Sequence, residues 1–210
     1  VIDNTISITD IDDTQIASAT VSISAGFTSG DILGFTTQNG ISGSYDASTG
    51  VLTLTGTATL AQYRTALRSV TYRSTSDDPT ATSASRTVSW TVTDANSDNV
   101  GAQSSTTVTS SITITAVNDK PVVTAGANLA YTENGSAAII DNTISITDPD
   151  DTQIASAIVS ISAGFLNGDI LAFTSPNGSG INGSYSNGVL SLTGTATLAQ
   201  YQTALRSVTY

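Results

Sequence analysis

Thr115-Ala116-Val117-Asn118-Asp119-Lys120-Pro121-Val122-Val123 separates two runs of alternating polar and apolar residues. Before it, residues 110–117 alternate as a half-buried strand does, and after it Val122 and Val123 open another apolar run. Asn118 and Asp119 are short polar residues suited to a turn. Pro121 has no N–H to donate, so one sheet ladder does not run through the segment. The stretch therefore reads as a short, proline-stiffened, acidic joint between two β-units, not as a Gly/Ser linker.

Working outward, the two sides of the joint are copies. Residues 2–40 return at 140–178, a spacing of 138, and 1–40 against 139–178 gives 32 identities. Residues 50–72 match 188–210 at 21 of 23 positions, and the loop between the matching blocks differs in length, 43–50 against 183–188. Loops tolerate such changes and strands do not. A period of 138 is a domain in a tandem array and not a solenoid unit. The expected organisation is residues 1–118 as a repeat lacking its first strand and 119–210 as the next repeat lacking its last strands.

Ala19, Val21, Ile23 and Ala25 alternate with Thr and Ser, as do Val88, Trp90 and Val92, and Ile112 and Ile114. Residues 50–56 and 68–73 add strands. Between those two, Leu60, Tyr63 and Leu67 fall on one helical face, with Thr57 or Thr59 placed to cap its start. The expected fold is all-β: antiparallel β-sandwich repeats of immunoglobulin or cadherin type, with one short helix per repeat.

The chain of 210 residues carries 17 acids against 6 bases, a formal net charge of -11. With no basic stripe to neutralise phosphates, nucleic acid is not an expected partner. There is no Cys, His or Met, so zinc, thiol, triad and haem chemistry lack their usual groups, and the expectation is a protein that is not an enzyme. No apolar run is long enough to cross a bilayer. Sixteen of the 17 acids are Asp, the carboxylate favoured in turns and calcium loops.

Strand alternation assigns these acids to ends. In the first repeat Asp94 and Asp98 fall at the top with Asp10, Asp12 and Asp13, while Asp77 and Asp78 fall at the bottom. In the second, Asp148, Asp150 and Asp151 return to the joint and Glu133 lies at the bottom. The joint is thus expected to gather Asp77, Asp78, Asn118, Asp119, Asp148, Asp150 and Asp151, with Lys120 the one nearby base. Two carboxylates about 5 Å apart repel by roughly 3 kcal/mol at an effective dielectric near 20, so the group calls for a counter-ion. Ca2+ accepts six to eight oxygens in loose geometry, whereas Mg2+ wants a tighter octahedron. The competing reading is solvated turn chemistry alone.

Ala116-Val117-Asn118-Asp119-Lys120-Pro121 resembles the calcium-binding linker of cadherins. Asp148-Pro149-Asp150 is similar to their Asp-x-Asp, Tyr131-Thr132-Glu133-Asn134 to their first-strand Glu motif, and Thr93-Asp94 to the Asp that closes a later strand. The helix followed by Val-Thr-Tyr resembles the cadherin-like repeats of large bacterial RTX-type surface adhesins. Ala116 stands where cadherins carry an Asp, the linker is one residue shorter, and Asp77-Asp78 loosely replaces Asp-Arg-Glu, so the resemblance implies one or two ions per joint. It further implies an extracellular, cell-surface structural extender stiffened by calcium, with neighbouring repeats of the same chain, and possibly other copies in a fibre, as partners. The alternatives are a glycan- or protein-binding adhesion module and a self-assembling fibre or sheath subunit. Trp90 is expected in the core. Tyr45, Tyr185, Phe27, Phe165, Phe35 and Phe173 recur with the repeat as scaffold, and Asp31 and Asp169 are read as turn residues.

Overall fold

Alternating β-branched residues form strands wherever one face can be buried, and in a computed structural model that describes residues 1–210 they do so in two units, Val1–Val117 and Asn118–Tyr210. The first unit holds β1 (Gln15–Ala25), β2 (Asp31–Gly34), β3 (Ser42–Asp46), β4 (Val51–Thr59), α1 (Leu60–Leu67), β5 (Thr71–Ser74), β6 (Ser85–Asp94) and β7 (Val108–Thr113). They make a five-stranded antiparallel sheet in the order β3-β4-β1-β6-β7 and a two-stranded sheet β2-β5. The second holds β8 (Val122–Thr124), β9 (Ser145–Thr147), β10 (Gln153–Ser160), β11 (Asn182–Ser186), β12 (Val189–Thr197) and α2 (Leu198–Arg206), with sheets β10-β12-β11 and β8-β9. Both units are thus mostly β, with several antiparallel sheets and one short helix each.

In the first unit the core is Ile16, Ala19, Val21, Ile23, Leu33, Ile41, Leu52, Leu54, Tyr63, Ala66, Leu67, Val88 and Trp90 with their neighbours. Trp90 is 2% exposed, a core residue as its alternation predicts. Ala25 is exposed, because β1 shifts register between Ile23 and Ala25. Each helix opens on a full capping box, Thr59 with Gln62 and Thr197 with Gln200, which satisfies two otherwise orphaned backbone donors. Of the expected helix face, Tyr63 and Leu67 are buried but Leu60 and Leu198 are only half-buried; Ala66 and Ala204 complete the contact instead. β1 and β4 lose register between Ile16 and Ser18, and at that irregularity the Tyr63 hydroxyl donates to the carbonyls of Ala17 (3.0 Å) and Gly56 (2.8 Å). Gly56 (φ 125°) lies against the Gly40 carbonyl, where a Cβ would collide.

Two expected strands are shorter than their sequence patterns. β7 covers Val108–Thr113 and stops short of the alternation that runs to 117. The run opened by Val122 and Val123 leads its unit as a strand only over Val122–Thr124, paired with β9 through Val122–Thr147 and Val123–Ile146. Val122 and Val123 are more than half exposed, so nothing beyond β9 rewards extending that strand.

Each unit has a helix end and an opposite end. In the first, Gln15 pairs with Thr59 and Ile16 with Asp94 at the helix end, while Ser22 pairs with Val51 and Ser85 with Thr113 towards the other. In the second, Gln153 pairs with Thr197 at the helix end and Ser160 with Val189 at the opposite end.

Candidate metal centres

At the helix end of the first unit, the turn 10–13 leads into β1 and the loop 94–103 leaves β6. Asn96 and Asn99 adopt left-handed backbone (φ 52° and 68°), a conformation Asn tolerates better than most residues, and the Asn96 Oδ1 takes the Gly101 amide at 2.6 Å. The loop so formed points the amides and hydroxyl of Ser97 and Asp98 at Asp13: its Oδ1 accepts from Ser97 N, from Ser97 Oγ at 2.5 Å and from Asp98 N at 3.2 Å. Asp94 accepts from Asn96 N (2.9 Å) and Gln103 N (2.7 Å). Asp10 caps its own turn, taking the amides of Asp12 (3.3 Å) and Asp13 (3.0 Å).

Carboxylate oxygens of Asp10, Asp13 and Asp94 all lie within 4.8 Å of one another. Asp13 and Asp94 are 7% and 5% exposed, and no basic side chain forms an ion pair with them; the chain's one salt bridge is elsewhere. Burying carboxylates this close without a counter-charge is unfavourable. Asp12 stays outside the trio. Its carboxyl is held above the usual carboxylate range by that of Asp10 beside it, while the amides of Asp13 and Asp12 hold Asp10 below it.

The second unit repeats the turn. Asp148 Oδ1 accepts from the amides of Asp150 (3.4 Å) and Asp151 (3.1 Å), and Asp148, Asp150 and Asp151 bring their oxygens within 4.8 Å of one another. The linker joins this turn: Asp119 N donates to Asp150 Oδ2 at 3.0 Å, and Asn118 Nδ2 to the Asp119 carbonyl at 2.5 Å. Asp150 Oδ1 is buried with no hydrogen-bond partner. A buried carboxylate oxygen without a partner, on a residue grouped with two further carboxylates, fits a hard cation, which would supply the missing partner.

Other expected ligands join neither trio. Asp77 and Asp78 occupy the β5–β6 loop at the opposite end of the first unit, and neither joins a group of three carboxylates. Glu133 lies at the opposite end of the second unit, lining a cavity with Tyr131, Asp169 and Tyr210, well away from Asp148.

Asp31 is not a simple turn residue. It is 1% exposed and takes Arg86 Nε at 2.5 Å, Tyr72 Oη at 2.6 Å and Thr28 N at 2.8 Å. Arg86, fully buried, also donates to the carbonyls of Ser83 and Pro79, each at 2.6 Å, and so pins the loop that carries Asp77 and Asp78. Burial pushes the Asp31 carboxyl up, but the bonds from Arg86, Tyr72 and Thr28 outweigh it and leave it below its ordinary value. Burial and the bond to Asp31 push the Tyr72 phenol up to about 12. The sequence signal was present: Arg86 shares its strand face with Val88 and Trp90.

No family model matches the chain, and no solved structure matches it. Among curated proteins it is similar to halomucin of Haloquadratum walsbyi (strain DSM 16790 / HBSQ001), 34% identical over 108 residues, which is 49% of this chain and 1% of that protein. The match thus spans about one hundredth of its relative. No helix is long and apolar enough to cross a membrane.

Proposed function

We propose that this chain is a non-enzymatic structural extender, part of a very large extracellular surface protein, in which tandem cadherin-like β-sandwich repeats are stiffened by calcium near their joints. The likeness to halomucin, of which the matched segment is 1%, together with the β-rich fold, fits a surface-associated repeat protein. Two copies identical at 32 of 40 leading positions suit spacer work, since a specialised binding site is usually singular.

The observation that carries the calcium reading is the repeated acidic turn. In the first unit it joins Asp94 of β6 in a trio of carboxylates with no basic partner, and in the second it supplies all three itself and leaves Asp150 Oδ1 buried and unpaired. Asp10, Asp13 and Asp94 would hold an ion in one unit, Asp148, Asp150 and Asp151 in the other. Calcium, when bound, supplies positive charge and a flexible oxygen-rich shell. Because Asp119 N already bonds Asp150, ordering that turn also orders the linker segment 118–121.

Small-angle scattering on the intact chain tests this reading. Chelation should shorten the maximum dimension and broaden the distance distribution, and Asp150→Asn should reproduce that profile in saturating calcium. Profiles that superimpose with calcium and with chelator would leave the acidic turns as ordinary turn chemistry.

A further inference from the structure

β3 and β11 are matching outer strands of their sheets, each paired on one side only, with β4 and with β12. Register aligns Ser42-Gly43-Ser44-Tyr45-Asp46 with Asn182-Gly183-Ser184-Tyr185-Ser186: Ser42 and Asn182 stand opposite Thr55 and Thr193, and Asp46 and Ser186 opposite Val51 and Val189. The two strands differ at their end residues alone. The first carries an acid, Asp46, which suits an exposed edge because charge discourages pairing with another sheet. The second lacks that charge and has instead Asn-x-Ser, the acceptor pattern for an N-linked sugar.

The geometry of 182–184 suits that chemistry. In an extended strand residues i and i+2 share a face, so the Asn182 amide and the Ser184 hydroxyl stand on one side, and both residues are exposed. Gly183 between them faces Phe173, whose ring lies where a Cβ would stand. Asn182 Nδ2 donates one of its two hydrogens to the Gly180 carbonyl at 3.0 Å. Ser42 and Ser44, at the same places in the first unit, are exposed as well, so this outward face belongs to the sheet and recurs in both units. The chain holds two further Asn-x-Ser patterns. In Asn177-Gly178-Ser179 the serine is 6% exposed and its Oγ takes the Ile181 amide at 3.2 Å, out of an enzyme's reach. In Asn134-Gly135-Ser136 the asparagine is left-handed (φ 60°) in a turn closed by Gly135 N on the Thr132 carbonyl, so the extended arrangement is missing.

We infer that Asn182 is the acceptor of an N-linked sugar, added by a glycosyltransferase of the producing cell from a diphosphate-activated sugar donor. In the transfer a bond forms between Asn182 Nδ2 and the anomeric carbon as that carbon's bond to the diphosphate oxygen breaks. The amide nitrogen gives up a proton and the diphosphate leaves with the electron pair; nothing is oxidised or reduced. The Ser184 hydroxyl is the group the enzyme reads beside the amide. The sugar gives β11 the hydrophilic cover that β3 has in Asp46. This inference rests on the surface location proposed above and not on calcium.

The test is peptide mapping by mass spectrometry of the chain made in its own cells, with fragmentation that keeps side-chain attachments. The peptide containing residues 181–186 should carry a sugar mass on Asn182, while Asn177 stays bare. Asn182→Gln and Ser184→Ala should each remove that mass, and Ser184→Thr should keep it, since threonine offers the same hydroxyl. All three replace exposed side chains, so unfolding curves should match that of the parent chain. An unmodified Asn182, a sugar on Asn177, or a Ser184→Ala chain modified as the parent is overturns the inference. Calcium titration of the same material separates the two readings. Ion binding with a bare Asn182 sinks this inference alone, and a sugar on Asn182 with a flat titration sinks the calcium reading alone.

Discussion

The eight residues of β10 and the first eight of β1 differ at one position, Ile158 against Thr20, yet they live in different environments. Val21 is fully buried and Ile16 is 1% exposed in the first unit, while Val159 and Ile154 are only half-buried in the second. Thr20 and Ile158 face outward in both, Ile158 72% exposed. The strand pattern sets which face turns inward; whether that face becomes core is decided by β6 and β7, which the first unit has and the second does not. The same holds for polar groups. Asp3 accepts from Thr5 and from Ser110 of β7, whereas its counterpart Asp141 spends its second oxygen on the amides of Gly126 and Ala127. Identical residues therefore carry different energetic weight in the two units.

The largest expected difference lies in the charged pair. Asp31→Ala removes the partner of a fully buried Arg86 and should destabilise the first unit by about 3–5 kcal/mol, read by denaturant unfolding through the fluorescence of Trp90, the chain's single tryptophan. Asp169→Ala, where no arginine stands opposite, should leave the second unit's transition near its wild-type position. Equal losses in the two units would break the comparison. Next, Val21→Ala should cost about 2 kcal/mol and Val159→Ala about 1 kcal/mol or less, because a half-exposed side chain forfeits less transfer energy and leaves less of a cavity; site-resolved hydrogen exchange separates the two. The smallest effect is one in which the units should agree. Thr59→Ala and Thr197→Ala remove geometrically matching capping boxes, and each should cost about 1 kcal/mol. A marked asymmetry there would mean that the helices do not report local chemistry alone.

Much of this was legible in the sequence. Period-two alternation located the strands, and the helix was marked by Leu60, Tyr63 and Leu67 spaced for one face. The repeat itself separated the two units. Strand alternation also put Asp10, Asp13 and Asp94 at one end, where their oxygens meet. What escaped depended on partners. A charged residue is not expected in a core, so Arg86 does not stand out in the sequence, although its register with Val88 and Trp90 turns it inward. The leading strand shrank to Val122–Thr124 because a pattern of alternating residues persists as strand only where a neighbour pairs with it. The trio in the first unit took Asp94 in preference to Asp12, since the loop carrying Ser97 and Gln103 fixes Asp13 and Asp94 from outside the turn.

The central claim is that the acidic turns are cation sites, and calorimetric titration of calcium into the intact chain tests it most directly. The account predicts dissociation constants of about 0.1–1 mM, the range of extracellular modules. Asp13→Asn should remove the heat that belongs to the first unit and Asp150→Asn that of the second, and the double variant should be silent while both units stay folded. A flat titration of the unaltered chain, or a double variant that binds as the original does, would contradict the account.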